Sequence, residues 1–242
     1  ERKNPYGRNK GINESKGNFI ALLGAHAIYN SDYLKVCIEE MERTNSIGAG
    51  GKVVTAMDNS SVESQLCELI LTSKFGVSGD SFRTIKEGYT SMINYPVFKR
   101  EVFDSVGLYD TSLHRNQDND FNSRVITKGY KLYNTSKTKC YYYPSDTLYG
   151  TFSYASKNGF WNAKSMKRKP DTMMVHHYIP FIFVVTLIVL AVTGIAGLFA
   201  KSYLPLLALG FVIGLHLLIG FTFSTRIKKY RTFTNILSLP FL

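Results

Sequence analysis

The sequence predicts an α/β domain followed by a pair of helices that cross a membrane, and three observations carry that expectation. Through residues 1 to about 172, short apolar runs rich in β-formers alternate with segments whose apolar residues recur at helical spacing. From Ile179 to Ala200, and again from Tyr203 to Phe223, no Asp, Glu, Lys or Arg occurs. Each run is long enough as a helix to traverse a hydrocarbon core of roughly 30 Å. Basic residues bracket the pair: Lys164, Lys167, Arg168 and Lys169 before it, and Arg226, Lys228, Lys229 and Arg231 after it.

Taken in order, GNFIALLGAHAIY has a continuous apolar centre and reads as one buried strand. The segment SDYLKVCIEEMERT follows with Leu34, Cys37, Ile38 and Met41 on a helical repeat and Ser31 as its cap. A second strand, GAGGKVVTAM, is entered through glycines. Next comes a helix in SSVESQLCELILTSKF, where Glu63 stands two residues after Ser61, one short of a capping box. The segment MINYPVFKREVFDSVGLYD carries turn signals at Pro96 and Gly107, and Asp120 to Lys128 continues as a helix ending at Gly129. YKLYNTSKTKCYYYP is a further strand by its β-formers. LYGTFSYASKNGFWNAKSMKRKP takes aromatics and bases up to the membrane.

Charge sets the expected orientation. The connector between the two spans holds only Lys201, while both flanks are basic, so the flanks and the α/β domain are expected in the cytoplasm of a multi-pass protein of the cell (inner) membrane. Each juxtamembrane base near anionic lipid is worth about 1 kcal/mol. Much of the net charge of +11 thereby has a membrane explanation, and a nucleic-acid partner is not expected. Gly194, Gly197, Gly210, Gly214 and Gly220 suit close helix packing in lipid. Cys37, Cys67 and Cys140 form neither a paired framework nor a metal spacing, which fits a reducing compartment. His176 and His177 make a poor metal site, and His216 needs no role if packed against the other helix. The chain opens at Glu1 in a polar segment without a signal peptide and closes with TNILSLPFL, the start of another apolar run, so both ends read as cut.

The most informative stretch is HRNQDNDFNSR, His114 to Arg124, which gathers acids and amides at a helix start. From the residues alone, Asp118 is either a helix N-cap worth about 1 kcal/mol or a catalytic base. Asp120 and Arg124, four apart, make a surface ion pair worth only about 0.3 to 0.5 kcal/mol. Asn116 and Gln117 either bond sugar hydroxyls or close the loop. Trp161, beside Lys164, Lys167 and Arg168, reads as an interfacial anchor.

The segments NPYGRNKGINESKGNFI, GAHAIYNSDYL, FKREVFDSVGLYD and RNQDNDFNSRVITKGYKLY, the aromatic GFW run and the helix pair follow in a specific order. In that order the chain resembles the C-terminal portion of membrane-bound family 2 glycosyltransferases of the succinoglycan-biosynthesis type. The resemblance implies a partial GT-A (Rossmann-like) domain over residues 1–172, with two or three βα units of the nucleotide-binding half missing. A membrane region over 173–242 would follow, with helices at about 179–200 and 203–223. It further implies inverting transfer from a nucleotide-sugar donor to a lipid-linked acceptor in surface or exopolysaccharide synthesis, one sugar per encounter, with Asp118 as the base. Asn116, Gln117, Asp120, Arg124 and Trp161 become acceptor-binding or supporting residues. The family's cation motif, of the form DAHA, reads GAHA here: Gly24 stands in place of the first Asp and only His26 remains as a ligand for Mg²⁺ or Mn²⁺. The competing expectation is a truncated or degenerate homologue that acts as a non-catalytic membrane-bound assembly partner.

Overall fold

The structure is a computed structural model and describes residues 4–57, 61–73, 75, 77, 81, 83, 86–170, 173, 175–226 and 232–241. In chain order the elements are α1 (Asn4–Glu14), β1 (Phe19–Ala21), β2 (Ala27–Tyr29), α2 (Tyr33–Thr44), β3 (Gly48–Thr55) and α3 (Val62–Thr72). There follow β4 (Gly88–Thr90), β5 (Val97–Lys99), α4 (Glu101–Val106), α5 (Gln117–Thr127), β6 (Leu132–Tyr142) and α6 (Leu148–Arg168). The chain closes with α7 (Ile179–Phe199), α8 (Leu204–Thr225) and α9 (Phe233–Ser238). Residues 1–58 and 79–173 form one unit, and residues 59–78 and 174–242 form a second.

The first unit is built on a mixed sheet of order β1-β5-β3-β6-β2, with β4 also on β6. The central β3–β6 pair is parallel and the other pairs are antiparallel. Between Gly51 and Lys52 the register jumps, from Thr135 to Lys139 on the partner strand. Glycine is needed at the jump, because a Cβ on Gly51 would come within 2.5 Å of the Tyr33 ring. That ring's hydroxyl instead accepts the Gly51 N–H at 3.0 Å.

The single strand expected in GNFIALLGAHAIY is two. β1 pairs with β5 and β2 with β6, on opposite sides of the sheet. The break is made by a turn in which Ala27 N–H donates to the Gly24 carbonyl and Gly24 N–H donates to the Tyr29 hydroxyl at 2.7 Å. These bonds satisfy backbone groups that a continuous strand would have given to a neighbour.

Two apolar clusters flank the sheet. In one, Phe121 stacks on Tyr109 at 4.6 Å and on Phe103 at 5.3 Å and meets Phe98 edge-on. Burying one such side chain is worth about 2 kcal/mol. The other contains Tyr33, Cys37, Met41, Val53 and Cys140. Tyr33 takes the buried position expected of Leu34, which is exposed. The N-cap of α2 is Asp32, where Ser31 was expected, and its carboxylate accepts the Thr138 hydroxyl in place of a helix N–H. Gly107 (φ 84°) and Gly129 (φ 85°) follow α4 and α5 at the expected positions, in the left-handed conformation that favours glycine. All three cysteines are free and buried, and burial pushes the Cys37 and Cys140 thiols up to about 12.

The second unit comprises α3, α7, α8 and α9. Both α7 and α8 are long and apolar enough to cross a membrane, and most of their surface is open, as lipid-facing helices require. A Cβ on Gly194 would lie 2.6 Å from Leu206 Cδ2, so glycine sets the approach of the two helices. Gly197 faces Ser202 and Gly220 faces Pro240, whereas Gly210 and Gly214 face open space and set no contact. His216 packs between the rings of Phe183 (5.0 Å) and Phe75 (5.2 Å). The terminal apolar run becomes α9 and a single 3-10 turn, Leu239–Phe241, against α8. α3, capped by Ser61 through the Ser64 N–H, belongs to this unit and not to the α/β layer its sequence position suggests. Asn235 on α9 donates to Gln65 on α3 at 3.2 Å. Lys228, Lys229 and Arg231 lie outside the described residues.

Candidate active site

The first turn of α5 presents its acids on two faces. Residues two apart on a 3.6-residue helix are rotated by about 200°, so Asp118 and Asp120 project in nearly opposite directions. Asp118 lines a cavity of about 1040 Å³ in the first unit, and among the described residues no other acidic side chain lines it. Among the described residues Asp118 forms no ion pair, and its Oδ1 accepts only the neighbouring Asn119 N–H at 3.1 Å. The N-cap reading of Asp118 is therefore corrected. The N-cap is Asn116, in the left-handed region at φ 61°, and it caps nothing with its side chain.

Asp120 faces the interior and is 1% exposed. Its Oδ2 accepts Arg124 at 3.0 Å and its Oδ1 accepts Lys169 at 2.7 Å. Arg124 also donates to the carbonyls of Val106 and Leu108. Lys169 reaches Asp110 at 2.6 Å as well. The Asp120–Arg124 pair is thus a buried clasp rather than a surface pair, because it ties the end of α4 and the end of α6 to the helix that carries Asp118. Lys169, read as a base for lipid headgroups, is committed to this clasp. Burial works against the Asp110 carboxylate, but hydrogen bonds from Lys169 and Ser112 outweigh it and hold the group down at about 2.

One face of α6 grips the turn before α5. Asn158 accepts Arg115, Trp161 stacks on His114 at 4.8 Å, and Asn162 and Ser165 accept the Asn116 amide at 2.9 and 3.1 Å. Positions 158, 161, 162 and 165 lie on one helical stripe. Trp161 is half-buried in this contact with Lys164 over its ring at 4.5 Å, and it does not line the cavity. Its ring contact is with the turn before α5. Asn116 likewise spends its amide on α6. Gln117 does line the cavity; it is buried, and its Oε1 has no hydrogen-bond partner among the described residues.

The opposite wall is aromatic. Gly24 and His26 line it together with Tyr95, and the Tyr29 ring meets Tyr33 and Tyr95 edge-on at 5.1 and 5.6 Å. A Cβ at Gly24 would fall 2.7 Å from Tyr95 Cε1. His26 is exposed and sits edge-on to Tyr142 at 5.2 Å. The residues present do not fit a divalent cation. The carboxylate position is glycine, the space beyond it is filled by a tyrosine ring, and a lone imidazole suits neither Mg²⁺ nor Mn²⁺. No cluster of three His, Cys, Asp or Glu side chains occurs among the described residues.

Sequence reasoning missed Arg8 and Arg115 on the cavity wall, Tyr95, and the α6 grip. The grip had a signal in the polar and aromatic stripe of α6. Tyr95, a bulky residue at φ 49°, had none.

Residues 5–107 match the family model for glycosyl transferase family 2, a range that runs from α1 to the end of α4 and stops before Asp118. The chain is 29% identical over 206 residues to the dolichyl N-acetyl-alpha-D-glucosaminyl phosphate 3-beta-D-2,3-diacetamido-2,3-dideoxy-beta-D-glucuronosyltransferase of Methanococcus voltae. That similarity covers 81% of this chain and 61% of the relative. It is also 29% identical over 138 residues to the succinoglycan biosynthesis protein ExoA of Rhizobium meliloti (strain 1021), covering 56% of this chain and 41% of that protein. The chain thus matches about three-fifths of the length of one relative and two-fifths of the other. Stretches of those lengths necessarily cross α5, so the aligned regions include the Asp118 turn. Residues 5–107 thus resemble glycosyl transferase family 2, and the likeness to the M. voltae transferase runs over most of the chain.

Proposed function

We propose that this protein is an inverting glycosyltransferase that moves a sugar from a nucleotide-sugar donor to a lipid-linked acceptor in surface-glycan synthesis, with Asp118 as the general base. The observation that carries the reading is Asp118 itself: the one acid on the cavity wall, unpaired among the described residues, on a helix start fixed from behind by Asp120. In such a reaction the carboxylate takes the proton from the acceptor hydroxyl as that oxygen attacks the anomeric carbon, opposite the departing diphosphate. A single carboxylate suffices, because the diphosphate leaves without needing a proton from a second acid. Gln117, buried with an open acceptor, is the group on hand to hold an acceptor or donor hydroxyl.

A lipid-linked acceptor fits two helices that can cross a membrane, and the M. voltae relative is named for a dolichyl-phosphate-linked sugar substrate. The exposed side of α6 adds Tyr149, Phe152 and Phe160 beside Lys157, Lys164 and Lys167, a composition suited to the headgroup layer. We place the boundary between catalytic and membrane regions near residues 172–173, with the catalytic side in the cytoplasm. The second reading, a non-catalytic homologue, draws on the ring packed against Gly24. The test is transfer by the membrane-embedded protein from a panel of α-linked nucleotide sugars to a polyprenyl-phosphate-linked sugar, with the product anomer read by NMR. A β-linked product is expected. An α-linked product overturns inversion, and no product from any donor favours the non-catalytic reading.

A further inference from the structure

The aromatic wall raises a question of charge. A diphosphate leaving group carries negative charge that something must balance, and the residues around Gly24 do not make a cation site. The Tyr95 ring occupies the space next to Gly24, and its position is enforced. Its backbone is left-handed at φ 49°, which for a bulky residue costs on the order of 1 to 3 kcal/mol. The Tyr33 hydroxyl donates to its carbonyl at 2.9 Å, and Pro96 follows directly. Tyr29 holds the Gly24 N–H from the other side. A carboxylate introduced at position 24 would have to displace that ring.

The same cavity is lined by two guanidinium groups, Arg8 from α1 and Arg115 from the turn before α5. Neither forms an ion pair among the described residues. Both are held by aromatic and amide contacts: Arg8 lies over the Tyr109 ring at 5.2 Å, and Arg115 lies over Tyr154 at 5.1 Å while bonding Asn158. Guanidinium stays charged at any physiological pH and matches phosphate oxygens in a planar, two-point geometry. Among the described lining residues Asp118 is the only acid, so their net charge is positive.

We propose that Arg8 and Arg115 hold the donor's diphosphate in this cavity and that its binding needs no divalent cation, the Tyr95 ring having taken the space beside Gly24. This inference rests on the glycosyl-transfer reading for the identity of the diphosphate. During transfer the pair balances charge on the departing oxygens without forming or breaking a bond.

The experiment is calorimetric titration of the protein in lipid nanodiscs with inorganic pyrophosphate, in EDTA and in Mn²⁺, with sugar transfer followed in the same preparations. Pyrophosphate is expected to bind in EDTA with an affinity within about threefold of that in Mn²⁺. Arg115→Gln and Arg8→Gln are each expected to weaken it by about tenfold or more, the scale of one charge-assisted hydrogen bond. Arg8 packs on Tyr109, so Arg115→Gln, at a half-exposed position, remains decisive if Arg8→Gln melts early. Binding only in Mn²⁺, no binding in EDTA, or affinity unchanged in Arg115→Gln overturns the inference. Transfer that proceeds only with Mn²⁺ leaves the glycosyltransferase reading standing and removes this one. Cation-free binding that Arg115→Gln abolishes, with no transfer from any donor, keeps the anion site and removes that reading.

Discussion

The two walls of the cavity are held by opposite means. Behind Asp118 the structure uses charge: a buried carboxylate clasped by Arg124 and Lys169, and amides of α6 bonded to the turn that starts α5. Around Gly24 it uses rings: Tyr29, Tyr33 and Tyr95 packed edge to face, with one hydroxyl on a backbone N–H. On the first wall, polar clasps fix the helix that carries Asp118. A wall that need only be shaped is served by packing, and a ring there also closes the space a metal would need.

The largest effect is expected at the polar clasp. Asp120→Asn leaves Arg124 and Lys169 facing a neutral amide, and breaking a buried pair costs about 3 kcal/mol or more, read as a lower melting temperature and denaturant midpoint. A loss below about 1 kcal/mol would show the clasp to be incidental. Acid should act on the same wall. The Asp110 carboxyl lies at about 2 in the folded protein against 3.8 ordinarily, so the folded state resists protonation. Its contribution to stability is complete above about pH 4 and falls away as pH drops through about 2. Lys169→Met should flatten that part of a pH–stability curve, and an unchanged curve would sever Lys169 from Asp110. Asn162→Ala removes one acceptor of the Asn116 amide and should lower kcat by about tenfold with KM little changed, as expected when a base is misplaced rather than a ligand lost. A smaller effect belongs to the aromatic wall. Tyr29→Phe deprives the Gly24 N–H of its acceptor and should cost about 1 kcal/mol with cation-free pyrophosphate binding retained.

Much of this was legible in the sequence. Apolar spacing gave α2, a glycine-led run gave β3, β-formers gave β6, Gly107 and Gly129 marked turns, and charge-free runs gave α7 and α8 within a few residues. The α/β class holds, and so does the family resemblance. What escaped depends on contacts distant along the chain. GNFIALLGAHAIY looks like one strand because nothing in it shows that Tyr29 will turn back to take the Gly24 N–H. Asp120 and Arg124 look like a surface pair because helical spacing cannot report burial, nor the second partner Lys169, 49 residues away. Trp161 has basic neighbours in sequence, and its ring partner His114 lies 47 residues earlier, in the turn before α5. α3 shows a helix and its cap, yet its place beside α8 and α9 follows from Gln65 and Asn235, 170 residues apart.

The most direct test of the account is the turnover of Asp118→Asn beside its melting temperature. The side chain is nearly isosteric, lines a cavity and makes no ion pair among the described residues, so melting within about 2 °C of the parent is expected. Loss of the base should lower kcat by about 10³-fold. A fall of less than about tenfold with an intact fold would contradict the role assigned to Asp118 and move the search for the base to another residue of the protein.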